Sequence, residues 1–407
     1  MTRVPVLLRR FQPQVGRLLR LMTRLVGPVT RVISQMFGAR AIPRHATDST
    51  SGYAGAISSA EMVVELVHPP ETLRREVPRG MPRDYWRFAE EKEVKIPPAF
   101  VARVPGGKVV GDYGAIIAPD NTLLFDLSPY FSIHSPHHHP IFRRLRLPKP
   151  IMYDGTVAVL CTRGDDNFYH FMVDVLPRLA MIERTRPLST VDVFYVHRSL
   201  PFQRQLLDMV DVPSERTLDA SVHRHVGAEL LLAPSLPARN SQTPRWVCDY
   251  LPSKLIAGVD DALMRQRPTR VYISRGLRRR SRTVTNETEV VDFLARWGVE
   301  AIRLEEMTIA EQIALFRCAE LVIAPHGAGL TNLLFCSAGT KVIEIFDPSY
   351  VNVCFWKLAS QVEGVEYHYV LGERKGPPAG RRDLDGVSAD ITVNLGRLER
   401  LLALAGF

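Results

Sequence analysis

The sequence predicts an α/β protein built as two Rossmann-like domains, and three observations carry that prediction. After residue 150, short apolar β-branched runs alternate with longer stretches of helical periodicity, which implies parallel sheets joined by crossover helices. The length of 407 residues suits two or three domains of ordinary size. A proline-marked break at 266–269, just before the run RVYIS, splits the alternating region in two. The composition, 46% hydrophobic and 23% charged, excludes disordered and fibrous classes, and no fixed-period repeat points to a solenoid or propeller.

Residues 1–62 read as a basic amphipathic arm followed by a linker. Apolar residues recur at roughly helical spacing between Val4 and Phe37, with arginines between them and Pro5, Pro13 and Pro28 as breaks. Such an arm suits an anionic membrane surface, and equally reads as a poorly ordered leader. The Ser, Thr, Gly and Ala of 46–61 read as a linker. Ordered structure is expected from Val63, opening on a proline-rich, irregular β lead-in with runs at 108–110, 114–117 and 122–125. Its His134, His137, His138 and His139 read as a solvated loop rather than a metal site, because no carboxylate or Cys stands close by.

The first domain is read as 63–266 and the second as 267–407. Strands are expected at 156–161, 191–196, 229–233, 270–274, 301–304, 320–324 and 341–346. Helices are expected at 169–184, with a kink at Pro177, and at 201–210, 244–265, 287–297, 309–318 and 330–336. The run 391–404 has the spacing of a terminal helix. Ligands of such folds sit at the carboxyl ends of the strands, here in a cleft that the two halves would face.

Net charge is +9, but 1–44 holds nine arginines and no acid, and without them 43 basic residues face 43 acidic ones. A neutral body argues against a dedicated nucleic-acid-binding domain. Cys161, Cys248, Cys318, Cys336 and Cys354 are odd in number, widely spaced and without zinc spacing, which reads as a reducing, cytoplasmic setting with the arm on the inner membrane face. The longest uncharged stretch, 321–340, carries Pro, three Gly, Asn and His and makes a poor membrane span.

Three constellations carry chemistry. In the first, GDDNFYHFMVDVLPR, a helix starting near Asn167 places Asn167, His170 and Asp174 on one face beside a strand's carboxyl end. A carboxylate one turn from a His fixes its tautomer and stabilises the imidazolium, the arrangement of a general base; the other reading is a capped helix with a packing His. In the second, RVYISRGLRRRSR, Ser274 and Arg275 leave a strand where phosphate oxygens would sit, while Arg278, Arg279, Arg280 and Arg282 read as further phosphate ligands or a solvated run. In the third, strand LVIA leads through Pro325, His326, Gly327, Ala328 and Gly329 to a helix start at Leu330, Thr331 and Asn332. Glycines and helix-start amides suit a diphosphate, but the third Gly of the dinucleotide fingerprint is absent, which disfavours a nicotinamide cofactor. Glu344 interrupts an apolar strand and needs a partner, such as ribose hydroxyls. Asp383-Leu384-Asp385 spells D-x-D in a polar loop away from these motifs.

Over 155–346 the ordered words DNFYHFMVDVLPRL, VYISR, Asn286-Glu287 and PHGAGLTNLLF resemble glycosyltransferase family 61, whose bacterial members include capsular polysaccharide biosynthesis proteins. The resemblance implies a GT-B fold and an inverting transfer from a nucleotide-sugar donor to a glycan or lipid-linked glycan acceptor, without an obligatory metal or other cofactor. It implies that Ser274, Arg275 and the stretch His326, Gly327, Ala328, Gly329, Thr331 and Asn332 hold the diphosphate and that Glu344 holds the ribose. Asn167, His170 and Asp174 would face the acceptor, with His170 or Asp174 as the base. The rival readings are another polysaccharide-modifying transferase on the same fold and a non-catalytic nucleotide-binding scaffold.

Overall fold

The computed structural model describes residues 28–56, 62–131, 133–265, 267–276, 282–373 and 389–407. Residues 1–27 of the arm, Arg278 to Arg280 and the D-x-D at 383–385 lie outside them. The fold is mixed α/β with parallel sheets, and the chain divides into two compact units, Met1–Pro69 with Pro98–Pro237 and Pro70–Pro97 with Ala238–Phe407.

The first unit is organised around four parallel strands, Ile151–Val159, Val193–Val196, Thr217–Asp219 and His225–Pro234. Ile151–Val159 comes first in the chain yet lies between Val193–Val196 and His225–Pro234. The chain therefore leaves it toward one neighbour and returns later to the other, which makes its carboxyl end the topological switch point. The lead-in is more regular than expected. Ala99–Pro105 and Lys108–Val110 pair antiparallel with His225–Pro234, and Ala115–Ile117, Thr122–Leu124 and His45–Thr47 extend a ten-stranded sheet. Val104, Val157, Val159, Tyr195 and Leu231 fill its core.

Order also begins earlier than the sequence implied. Residues 28–34 are helical and Gln35–Arg40 forms a 3-10 turn, tied down where the Thr30 hydroxyl donates to the Phe142 carbonyl at 3.0 Å and the Ile42 amide to Ser34 Oγ at 2.8 Å. The expected linker contains the strand His45–Thr47 and the helix Thr50–Ala56, whose first amide donates to Asp126 Oδ2 at 2.9 Å. The histidine loop also departs from expectation at one position. His139 is fully buried among the rings of Tyr113, Phe125 and Tyr130, while His134 and His137 are exposed. Burial, with Arg143 and Arg144 nearby, pushes His139 down to about 3.

The second unit holds a six-stranded, wholly parallel sheet in the order Glu300–Ile302, Arg270–Ile273, Leu321–Pro325, Lys341–Phe346, Glu366–Leu371, Arg79–Met81. The first five strands have the 2-1-3-4-5 order of a doubly wound fold, which puts the switch point between Arg270–Ile273 and Leu321–Pro325. Residues 70–97 and 238–265, read from sequence as part of the first half, pack in this unit instead. Arg79–Met81 is its sixth strand, Phe88 stacks on Tyr369 with centroids 4.4 Å apart, and Lys357 Nζ lies 2.9 Å from Glu91. Among the described residues no helix is long and apolar enough to cross a membrane.

Candidate functional site

In the first unit, the segment leaving Ile151–Val159 at the switch point carries the His170 constellation. Asn167 caps the short helix Phe168–His170, its side chain accepting from the Tyr169 amide at 2.9 Å. The expected single helix is broken. Phe171–Val175 is a π turn, closed by the Leu176 amide on the Phe171 carbonyl at 3.1 Å, before Pro177–Thr185 resumes α geometry. Pro177 supplies no amide for the regular ladder, and the wider turn absorbs the mismatch.

His170 and Asp174 are brought together, with Nδ1 and Oδ2 2.8 Å apart. The imidazole is 24% exposed and the carboxylate 6%, so the ring reaches solvent with its tautomer fixed from behind. The side-chain oxygen of Asn167 is taken by the cap rather than by the pair. Beneath the pair lies Arg178, fully buried, donating to the Cys161 carbonyl at 3.0 Å. Burial holds its guanidinium below its ordinary value against the opposing charges of Asp174 and Asp165. The preceding loop is pinned by Asp165, whose Oδ2 accepts from the Thr162 amide at 3.1 Å and lies 2.9 Å from His197 Nδ1. Gly164 has φ +91°, and a Cβ there would stand 2.9 Å from the Phe131 ring and 3.4 Å from His170. Sequence spacing did not single out Arg178, Phe131 or His197.

In the second unit, the loops after Arg270–Ile273 and Leu321–Pro325 meet at the switch point. Arg275 Nη1 donates to the His326 carbonyl at 2.9 Å, and a Cβ on Gly327 would lie 1.8 Å from that nitrogen. Gly329 is tight for another reason, since a Cβ there would meet Leu304 Cδ1 at 2.7 Å. The Ser274 hydroxyl donates to Glu287 Oε1 at 2.9 Å and accepts from the Gly276 amide at 3.2 Å, so it shapes the loop. Arg282 lies over the Tyr350 ring at 5.6 Å, and Tyr350 packs edge-on against His326.

Three residues read as ligand contacts are turned inward. Thr331 and Asn332 are fully buried, the first donating to the Ala328 carbonyl at 2.7 Å and the second to Gln312 Oε1 at 2.9 Å and the Gly329 carbonyl at 3.1 Å. They hold the 3-10 segment Ala328–Phe335 in place of the expected α-helix. Glu344 has no exposure. One of its oxygens lies 2.5 Å from His326 Nδ1, and the other accepts from the Tyr367 hydroxyl. With no exposure and a protein partner on each oxygen, the carboxylate is not presented to a ribose. Burial raises Glu344 well above the carboxylate range, and burial with Arg282 and Arg275 lowers His326 well below its ordinary value.

These features define a parallel-sheet α/β protein with a His–Asp pair at one switch point and an arginine-lined, glycine-tight loop at another. Residues 168–343 match the family model described as Glycosyltransferase 61. The chain is similar to "Beta-1,2-xylosyltransferase RCN11" of Oryza sativa subsp. japonica, 31% identical over 30% of this chain and 24% of the relative. It is also similar to "EGF domain-specific O-linked N-acetylglucosamine transferase" of Drosophila melanogaster, 33% identical over 24% and 18% of the two chains. "Beta-1,2-xylosyltransferase" of Arabidopsis thaliana is 29% identical over 23% and 20%. The matched stretch thus spans less than a quarter of the length of any of these three relatives.

The relatives correct one expectation. They are lumenal rather than cytoplasmic enzymes, which overturns the cytoplasmic placement. The cysteine argument failed because Cys161, Cys248, Cys336 and Cys354 are buried free thiols, shielded from oxidants in any compartment.

Proposed function

We propose that this protein is an inverting glycosyltransferase that moves a sugar from a nucleotide-sugar donor to a hydroxyl of a glycan or lipid-linked glycan in cell-surface polysaccharide synthesis. The observation that carries the reading is the second unit's switch point, where Arg275 is clamped on the His326 carbonyl against Gly327. A guanidinium beside glycine-bounded amides is suited to a leaving diphosphate, whose charge grows as the glycosidic bond breaks. Ala328 and Gly329, both partly exposed residues, supply the amides, and Arg282 a second positive charge. In the first unit, His170 Nε2 takes the acceptor hydroxyl proton while Asp174 stabilises the imidazolium. The acceptor oxygen then attacks the anomeric carbon from the face opposite the departing diphosphate, which inverts the configuration. The GT-B arrangement of two Rossmann-like domains is part of this reading, supported by four parallel strands at the centre of the first unit's mixed sheet and a wholly parallel sheet in the second. Exposed Val32 and Met36 beside Arg31 and Arg40 support an anionic surface as a further contact of the arm.

The test is a transfer assay with a panel of nucleotide sugars. UDP-xylose and UDP-N-acetylglucosamine come first, because the relatives' names carry those sugars. The expected result is transfer from one donor with inverted anomeric configuration, abolished by His170→Ala. Retention of configuration, or no turnover by a folded protein that binds the nucleotide, contradicts the reading.

A further inference from the structure

The Lys341–Phe346 strand (KVIEIF) lies inside a parallel sheet, between Leu321–Pro325 and Glu366–Leu371. A carboxyl with no exposure at that place is costly unless every oxygen is satisfied. Glu344 meets the condition with two partners from the flanking chain segments. His326 follows Leu321–Pro325 directly, and Tyr367 stands in Glu366–Leu371. The His326 ring is fixed in plane as well, stacked on Phe346 at 5.4 Å and 26° and touched by Phe355 at 5.1 Å.

We propose that Glu344 and Tyr367 are positioning residues for the donor site, holding His326 as a neutral imidazole with its proton on Nε2. This deepens the reading above, since it concerns the loop proposed to hold the diphosphate.

The chemistry selects the tautomer. The Tyr367 hydroxyl donates to one Glu344 oxygen, so the other must settle the single proton shared with His326 Nδ1. A carboxylate facing the Nδ1–H of a neutral ring would leave a net negative charge at full burial and a lone pair on Nε2, which repels phosphate oxygens, and a carboxylate facing an imidazolium would hold two separated charges away from water. A carboxylic acid donating to Nδ1 leaves the buried group neutral and makes Nε2–H a donor. The directions of the two shifts, Glu344 up and His326 down, agree with the neutral pair. Arg275 and Arg282 supply the positive charge at this loop, so the histidine donates a hydrogen bond without becoming a third cation.

The experiment reads the ring directly. In the full chain labelled with 15N-histidine, the His326 signals are assigned by their loss in His326→Gln, and the ring-nitrogen shifts of the unliganded protein report the tautomer. The proposal expects an Nε2–H pattern with unprotonated Nδ1, unchanged from pH 6 to 8, and maintained in Glu344→Gln, whose amide can donate to Nδ1. It expects Glu344→Leu to release the ring into a mixture of tautomers and to raise the donor KM about tenfold or more, with a smaller change in kcat. Tyr367→Phe is expected to move the same signals in part. An Nδ1–H pattern in the wild-type protein overturns the proposal, as does Glu344→Leu leaving the tautomer unchanged. Because the spectrum is taken without nucleotide, failure of the donor reading appears separately, as a wild-type protein with the expected tautomer that binds no nucleoside diphosphate.

Discussion

Arg275 occupies the space that a side chain at residue 327 would need: an added Cβ on Gly327 would lie 1.8 Å from Arg275 Nη1. The glycine of the PHGAG loop is thus a seat for a protein cation, and the cation in turn is anchored on the His326 carbonyl. Gly327→Ala should push the flexible end of Arg275 off that carbonyl. Thermal stability is expected to change by no more than a few degrees, while the nucleoside diphosphate Kd rises about tenfold, on the scale of one charged hydrogen bond. Calorimetric titration beside a melting curve separates the two effects, and unchanged affinity would count against the seat.

The His170–Asp174 pair should act in turnover and not in donor binding. Asp174→Asn is expected to lower kcat by about 10²- to 10⁴-fold, the usual worth of a positioned general base, with little change in nucleotide affinity. Steady-state kinetics at saturating donor checks this. A variant that loses donor affinity and keeps kcat would place the pair in the wrong role.

Arg178 is the buried support of that pair. Replacing it with Met removes the donor to the Cys161 carbonyl and the positive charge near Asp174. Urea unfolding should show a loss of about 3 kcal/mol, in line with breaking a buried charged contact from one side. Parallel loss of activity in the fraction that stays folded is expected, because the loop bearing His170 rests on it.

His139 predicts an acid-side loss of stability. Its native pKa is pushed down to about 3, so below its ordinary value of 6.5 the unfolded chain takes up a proton that the native chain refuses. Stability from this residue is complete above pH 6.5 and is lost as pH falls toward 3, by roughly 2 kcal/mol at pH 5. His326 and His225 are lowered too and add to the loss, while His197 is raised and opposes it. His139→Asn keeps an acceptor for the Ile141 amide and cannot titrate. Its unfolding free energy should vary less between pH 7 and 5 than that of the wild type. An identical slope would contradict the assignment.

Elements whose apolar period is unbroken were legible in the sequence. Ile309–Cys318, Lys341–Phe346 and Lys108–Val110 have the expected bounds, because each buries one periodic face. Arg79–Met81 was not legible, since its three residues form a strand only beside Glu366–Leu371, far along the chain. The same distance hid the partners of the site. Glu344 stood out as a carboxyl in an apolar strand, but Tyr367 lies on a strand the pattern did not mark. Asn332 looked like a ligand contact because its partner Gln312 sits on another helix, which local spacing cannot reveal. The His170–Asp174 pair was readable because four residues of helix bring the two side chains together without any tertiary contact.

The central claim is that the second unit holds a nucleoside diphosphate through Arg275 and the loop that follows Leu321–Pro325. The most direct measurement is calorimetric titration of UDP, GDP, CMP and dTDP into the wild-type protein and Arg275→Ala, with EDTA present. The account predicts micromolar binding of one nucleotide, weakened at least tenfold by the substitution. A folded wild-type protein that binds none of them, or an Arg275→Ala protein that binds as well as the wild type, would contradict it.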